Sequence, residues 1–179
     1  MNSRKLLLGI PTLLAGILLV SCQDENPPIE ITERRDLTSY DTEGNLKVAM
    51  PSEWRRVPST RFRDYNCRFN EDGEVYISIA SGGIKENAER WLKQFGSSDA
   101  VVVEELAGIE SMGATGRLIE AQGTFQGMRG ITIEDAALLG MMVESAGNLI
   151  TVKMVAKADE VAAQRENFMA FCRSIEWRK

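Results

Sequence analysis

Ser81-Gly82-Gly83-Ile84-Lys85-Glu86-Asn87-Ala88-Glu89-Arg90-Trp91-Leu92-Lys93-Gln94 is the segment with the clearest structural signal in this chain. Its apolar residues recur every three or four positions, and charged residues fall between them. This spacing places the apolar residues on one face of an α-helix. Gly96 follows as a helix stop signal. The segment therefore predicts an amphipathic helix that lies on a sheet through Ile84, Ala88, Trp91, Leu92 and Phe95.

A strand and a hairpin are predicted before this helix. Residues 46–50 show apolar alternation up to Pro51 and predict a first strand. Residues 61–69 and 75–80 also read as strands, and the intervening Asn70-Glu71-Asp72-Gly73 is rich in turn formers. We expect these two strands to pair.

A second hairpin is predicted after the helix. Residues 137–143 and 149–156 flank Ser145-Ala146-Gly147-Asn148, another group of turn formers. In residues 149–156, Thr151 and Lys153 alternate with apolar side chains. This alternation predicts a strand with one face toward solvent.

The C-terminal segment predicts a last helix. Asp159 is the expected N-cap residue, and an apolar stripe follows at Phe168, Phe171, Cys172 and Ile175. The strands are not separated by regular helical crossovers, so a doubly wound nucleotide-binding sheet is not expected. The sequence predicts a single α+β domain over residues 43–179, with an antiparallel sheet and helices packed on it.

The N-terminus resembles a bacterial lipoprotein signal peptide. Arg4 and Lys5 precede an apolar run that ends in Leu19-Val20-Ser21-Cys22, a lipobox. The run is shorter than the ~20 apolar residues of a membrane span and contains Pro11, which disfavours a transmembrane helix. The resemblance implies that residues 1–21 are removed and that Cys22 becomes lipidated.

The segment after Cys22 predicts a flexible tether. Residues 22–42 are mostly polar or charged and show no apolar periodicity. In some lipoproteins an Asp directly after the cysteine retains the protein at the inner membrane. Gln23 occupies that position here, which favours the outer membrane, facing the periplasm.

Composition restricts the chemistry that we expect. The formal net charge is −5, and an acidic surface argues against nucleic acid as a partner. The absence of histidine excludes Ser-His-Asp catalysis and His-ligated zinc. We expect neither an enzyme nor a bound cofactor or metal. A copper site is the minor alternative to core packing for Met128, Met141, Met142 and Met154.

Two cysteines remain once Cys22 is assigned to lipidation. Cys67 alternates with apolar strand residues, and Cys172 lies on the apolar stripe of the last helix. Both positions predict buried side chains. We favour two reduced thiols, and a disulfide between helix and sheet is the alternative that an exported protein would permit.

Residues in two places resemble a group of bacterial lipoproteins and exported proteins with a PsbP/Mog1-like fold. One is the Pro-x-x-Trp segment of Pro51 and Trp54. The other is the Gly-Gly ahead of a helix with Asn, Arg-Trp and Gln, here Gly82, Gly83, Asn87, Arg90, Trp91 and Gln94. The resemblance extends over residues 46–177 and implies an antiparallel sheet sandwiched between helices. The named relatives of this fold act by binding: one supports a photosystem, and another binds a nuclear transport GTPase. Neither partner is expected for this chain, since no binding motif of those relatives matches its residues.

The start of the first helix is one candidate site. Gly82 and Gly83 could present backbone N–H groups to an anion, with Asn87 and Arg90 one or two turns further along. The alternative, which we favour, is a tight turn that leads into the helix. The lysine and hydroxyl residue of a phosphate-binding P-loop are missing.

A cluster of arginines is the other candidate site. Arg61 and Arg63 share a strand face if residues 61–69 are extended, and could contact an anionic polymer or an acidic partner. The alternative is a solvated face paired with nearby Asp64, Glu71 and Asp72.

These observations lead to one main functional hypothesis. We expect a membrane-anchored periplasmic lipoprotein with a non-enzymatic domain that binds a protein or a cell-envelope component. Its surface would include Trp54, Arg61, Arg63 and the start of the first helix. The alternatives are a carrier of a small apolar ligand and a hydrolase that uses carboxylates.

Overall fold

A seven-stranded antiparallel sheet forms the centre of residues 41–178, the part of the chain that the computed structural model describes. The strands, in chain order, are β1 (Asp41–Glu43), β2 (Leu46–Val48), β3 (Arg55–Arg56), β4 (Tyr65–Phe69), β5 (Gly73–Ala80), β6 (Gly108–Ser111), β7 (Ala114–Gln126), β8 (Thr132–Ser145), β9 (Asn148–Lys157) and β10 (Glu176–Trp177). The helices are α1 (Ile84–Lys93), α2 (Ala158–Ala163) and α3 (Arg165–Arg173). The large sheet has the order β3-β4-β5-β9-β8-β7-β6, and a small sheet has the order β1-β2-β10.

Both predicted hairpins are confirmed. Strands β4 and β5 pair from Tyr65↔Ile77 to Phe69↔Gly73, so Gly73 already belongs to β5. Strands β8 and β9 pair down to Ser145↔Asn148 around a two-residue turn. Ala146 and Gly147 in that turn have φ values of 50° and 76°, as such tight turns require.

The large sheet has helices on both faces. Helix α1 packs on one face with Ala88 and Trp91, in a cluster that includes Leu138 and Met142. Helices α2 and α3 and the small sheet share a separate core on the other face, which includes Phe168. The fold is therefore α+β, an antiparallel sheet sandwiched by helices, as the sequence predicts.

Helix α1 has the buried face that its periodicity predicts, but it ends at Lys93, so Phe95 follows the helix instead of belonging to it. The Gly83 N–H donates to Glu86 Oε2 at 3.1 Å, which caps the first turn. At the other end Gly96 adopts a φ of 78°, and the chain leaves the helix there. Trp91 rests directly on Gly140 of β8, where an added Cβ would lie 2.5 Å from the indole Cζ3.

The C-terminal helix differs from the prediction. It is divided into α2 and α3 at Gln164, and its N-cap residue is Lys157. The Asp159 prediction is wrong by two positions because the helix starts directly after β9, which places Asp159 in the first turn. The predicted apolar stripe is confirmed, since Phe168, Phe171, Cys172 and Ile175 are all buried.

The predicted solvent-exposed face of residues 149–156 is wrong. Thr151 and Lys153 are each only 3% exposed. β9 lies between β5 and β8, and α1 and β7 cover the face to which these side chains belong. Met128 also differs from the core-filling prediction, because it is 79% exposed near the tip of the β7–β8 hairpin, whereas Met141, Met142 and Met154 are buried.

Cys67 and Cys172 are buried and are not joined in a disulfide, which confirms the favoured interpretation. Cys172 Sγ lies in an apolar core, and burial raises the pKa of its thiol well above the usual value. A thiol in that environment is a packing group rather than a nucleophile.

The predicted signal segment 1–21, the lipidated Cys22 and the tether up to residue 40 lie outside the described residues. Asp41 and Thr42, which we assigned to the tether, are part of β1 and pair with β2. No helix within residues 41–178 is long and apolar enough to cross a membrane.

Candidate functional site

The start of α1 is a closed turn rather than an anion site. The Glu86 carboxylate already accepts the Gly83 N–H. Asn87 is 1% exposed, and its Nδ2 donates to the carbonyl oxygens of Ser81 at 3.0 Å and Gly83 at 2.8 Å. Gly82 has a φ of 81°, which a glycine adopts without strain. Gly82, Gly83 and Asn87 therefore fix the turn into the helix, the alternative that we favoured.

Trp54 is a core residue, so its predicted place on a binding surface is wrong. It is 2% exposed, and its ring centroid lies 5.1 Å from that of Phe171. A turn closed by the Trp54 N–H and the Pro51 carbonyl directs the indole inward. Its Nε1–H donates to Gln164 Oε1 at 2.7 Å, which satisfies the buried donor.

Arg61 and Arg63 lie in the loop before β4, not on a strand face as predicted. Thr60 and Arg63 exchange two backbone hydrogen bonds and close a tight turn around exposed Arg61. Arg63 Nη2 lies 3.0 Å from Glu74 Oε2, and the Arg63 guanidinium lies 4.3 Å from the centroid of the Tyr76 ring. Arg63 is thus held against β5 by an ion pair and a cation–π contact.

Glu74 is shared between two arginines. Its second carboxylate oxygen lies 3.3 Å from Nη2 of Arg68 on β4. The partner of Arg63 is therefore Glu74 rather than the predicted Asp64, Glu71 or Asp72. The Asp64 carboxylate instead accepts the Ile79 N–H at 2.9 Å.

Lys153 is a buried cation at the centre of the large sheet. It is 3% exposed, and its Nζ donates to Gln94 Oε1. Its ammonium lies 5.2 Å from the ring centroids of both Trp91 and Phe125. Within residues 41–178 no carboxylate forms an ion pair with it. Burial, together with Arg90 and Arg63, lowers the pKa of Lys153 to about 7.

Tyr76 connects Lys153 with both predicted arginines. It is the direct cross-strand partner of Lys153, so the two side chains lie on the same face. Burial raises the pKa of Tyr76, although Arg63 and Arg90 act to lower it. Arg90 reaches this region from α1 and also donates to Asn87 Oδ1. We call Arg63, Arg90, Lys153 and Tyr76 the cationic cluster.

Asn66 continues the row of the cationic cluster on β4. It pairs directly with Tyr76, and it is 6% exposed. Its Nδ2 donates to the Pro58 carbonyl at 3.4 Å, whereas its Oδ1 is buried without a hydrogen-bond partner within residues 41–178. Most buried polar atoms in folded proteins have a hydrogen-bond partner, so this oxygen is an exception.

The structure brings together only some of the residues that the sequence predicts for a binding surface, and it adds others. Arg63 and Arg90 both act electrostatically on Tyr76, while Trp54 lies in the α3 core on the opposite side of the sheet. Lys153 and Tyr76 were missed. The available signal was a lysine inside the apolar run 149–156, in a sheet predicted to carry helices on both faces.

Other sites are poorly formed in the described part of the chain. Two hollows are open to solvent: one is next to Gly82 and residues 144–149, and the other lies between Glu120 and α2. Residues 41–178 hold no cluster of three or more His, Cys, Asp or Glu side chains that could bind a metal ion.

Comparison with known proteins shows similarity of fold. No protein-family model matches the chain, and no curated protein matches its sequence. The solution structure of cyanobacterial PsbP (CyanoP) from Synechocystis has a TM-score of 0.52 and 12% identity, and the match covers 84% of this chain and 99% of that chain.

Two further solved structures match with lower TM-scores. One is a crystal structure from Bacteroides thetaiotaomicron, with a TM-score of 0.47, 11% identity, and coverage of 77% of this chain and 50% of that chain. The chain thus spans 50% of the length of the Bacteroides protein. The other is LpqN of Mycobacterium tuberculosis, described as involved in cell envelope biogenesis, with a TM-score of 0.42, 14% identity, and coverage of 78% and 87%. The similarity to CyanoP shows that the fold of this chain is PsbP-like.

Proposed function

We propose that this protein is a bacterial lipoprotein, anchored through Cys22 in the outer membrane and facing the periplasm. Its domain would bind a protein or a cell-envelope component without catalysing a reaction. The N-terminal lipobox supports the anchor, and the polar residues after Cys22 support a tether that holds the domain clear of the lipid.

The cationic cluster is the observation that carries the binding proposal. Arg63 and Arg90 both act electrostatically on Tyr76 and on the buried Lys153, in a chain whose formal net charge is −5. A buried lysine without a carboxylate partner lowers the stability of the fold. Perturbed ionisable groups of this kind concentrate at functional sites.

The two alternative functions, a carrier of a small apolar ligand and a hydrolase that uses carboxylates, have less support. An apolar ligand carrier needs an enclosed apolar pocket. The two surface hollows are open, and the core clusters on the two faces of the sheet are filled by side chains such as Trp91 and Phe168. A hydrolase of the glycosidase type needs two carboxylates across the substrate. The carboxylate of the cluster, Glu74, is held between Arg63 and Arg68.

Arg61→Glu combined with Arg63→Glu is expected to reduce capture of the partner by about tenfold or more, because rim charges steer and orient docking. The measurement is quantitative recovery of partners after crosslinking in cells that express the full-length chain. Arg173→Glu is the matched control, since Arg173 is exposed on α3 away from the cluster. Equal recovery of partners with the Arg61→Glu/Arg63→Glu variant and with Arg173→Glu would contradict the proposed binding surface.

Cys22→Ser is expected to abolish fatty-acid incorporation, because the thiol is the acceptor of the lipid. We also expect the variant to keep its signal peptide and remain in the precursor form. Metabolic labelling with a fatty-acid analogue, followed by membrane fractionation, measures both effects. Cys67→Ala should keep the label, since Cys67 is buried in the domain. Labelling that persists in Cys22→Ser would refute the anchor.

A further inference from the structure

We propose that the cationic cluster binds a phosphate group of an envelope component, with Arg63, Arg90 and Tyr76 as hydrogen-bond donors and Lys153 beneath them. This inference rests on the proposed binding function and names the chemistry of the ligand.

The cluster retains hydrogen-bond donors that have no acceptor within residues 41–178. The Tyr76 hydroxyl has no hydrogen-bond partner within residues 41–178. Arg90 donates to Asn87 through one nitrogen, and Arg63 donates to Glu74 through one nitrogen. A guanidinium carries five N–H donors and no acceptor, so both arginines retain donors for a ligand. The group that matches such a set is an oxyanion.

The charge of the cluster favours phosphate over a carboxylate. Glu74 is ion-paired with both Arg63 and Arg68 and can neutralise only one positive charge. Arg90 and Lys153 have no ion-paired carboxylate within residues 41–178. A phosphate monoester carries about −1.5 to −2 charges near neutral pH, which matches this surplus better than a single carboxylate.

The donors of the cluster come from four elements of the fold. Arg63 comes from the loop before β4 and stacks on Tyr76 of β5. Lys153 of β9 pairs with Tyr76 on one side and with Gly140 of β8 on the other. Trp91 packs on Gly140, and this contact fixes the turn of α1 that carries Arg90. Donors from several elements suit a tetrahedral oxyanion.

The test is titration of the purified full-length chain, in detergent micelles, with inorganic phosphate and with sulfate. We expect saturable binding that is weakened about tenfold by Arg90→Gln and about fivefold by Tyr76→Phe, which keeps the ring under Arg63. Arg173→Gln should bind as the wild type does. A lack of saturable binding, or equal binding by all three variants, would overturn the inference.

Vesicles identify the source of the phosphate. Binding to vesicles that contain phosphatidic acid, whose headgroup is a phosphate monoester, would support a lipid headgroup if free phosphate displaces the protein, whereas binding of free phosphate alone would support a soluble phosphorylated component. Crosslinked capture is measured separately. If capture depends on Arg61 and Arg63 while phosphate and sulfate do not bind, this inference fails and the proposed function stands.

The pH dependence of sulfate binding tests the role of Lys153. The charged and titratable groups that face its ammonium are Arg63 from the loop, Arg90 from α1 and Tyr76 from β5, with Glu74 further along β5. Sulfate stays doubly charged, so tighter binding at about pH 6 than at about pH 8 reports protonation of the lysine. Lys153→Met should remove this difference, and an unchanged profile in that variant would overturn the role of Lys153.

Discussion

Lys153→Met is expected to stabilise the folded domain, in contrast to most substitutions at buried positions. The lysine is 3% exposed and no carboxylate within residues 41–178 pairs with it. Its pKa falls from 10.5 to about 7 on folding. At about 1.36 kcal/mol for each pKa unit, the charged lysine costs the fold up to about 5 kcal/mol near neutral pH. Methionine has a similar length and carries no charge.

The sign of the pH dependence follows from the lowered pKa of Lys153. Well below about pH 7 Lys153 is protonated in both the folded and the unfolded state, and the full cost is present. Between about pH 7 and 10.5 the folded state has lost the proton that the unfolded state still binds, so stability rises with pH. The advantage of Lys153→Met is therefore largest at the acidic end and disappears at the alkaline end of this range.

Urea denaturation across this pH range measures the effect. Lys157→Met is the matched control, because Lys157 ends the same strand and is exposed. We expect a difference in unfolding free energy of about 2–5 kcal/mol for Lys153→Met at about pH 6 and less than about 0.5 kcal/mol for the control. A variant that is less stable than the wild type at that pH would show that Lys153 is paired favourably in the fold.

Local sequence signals were sufficient for the hairpins and for α1. The turn around Ala146 and Gly147 is set by neighbouring residues, and the periodicity of α1 requires no knowledge of its partner. The environment of Lys153 depends on distant residues. Alternation showed that it shares a face with Thr151, but only the placement of α1 and β7 shows that the face is covered.

Dependence on residues that are distant in sequence also explains the errors at the candidate site. Trp54 is buried against Phe171, and Gln164, 110 residues away, accepts a hydrogen bond from its indole N–H. Arg61 was placed on a strand because residues 61–69 alternate, whereas the bridge between Thr60 and Arg63 closes a turn there. Arg63 and Arg90 were each identified from sequence, but Tyr76, on which both act electrostatically, lies on a third element.

Gly140→Ala is expected to destabilise the domain by about 2–3 kcal/mol, because it overpacks the contact between α1 and the sheet. An added Cβ would lie 2.5 Å from Trp91 Cζ3 and 3.0 Å from Cε3. The indole is rigid and 6% exposed, and β8 is paired on both sides, so neither partner can move freely. The lower chain entropy of alanine in the unfolded state, about 0.4–1 kcal/mol, offsets only part of this cost.

A double-mutant cycle with Trp91→Leu separates the overpacking from an effect on the strand itself. Leucine lacks the ring atoms that the new Cβ would meet, so Gly140→Ala should cost less than about 1 kcal/mol in the Trp91→Leu background. Gly108→Ala is the control for a strand glycine, since the nearest atom to its added Cβ is a Thr115 methyl at 3.2 Å on the edge of the sheet. Denaturant unfolding of the four cycle members gives the coupling energy, and additive costs would refute the contact. Arg90 is adjacent to Trp91 on α1. A confirmed coupling would therefore also mean that Gly140 of β8 sets the distance between α1 and the sheet, and with it the position of Arg90 relative to Lys153 and Tyr76.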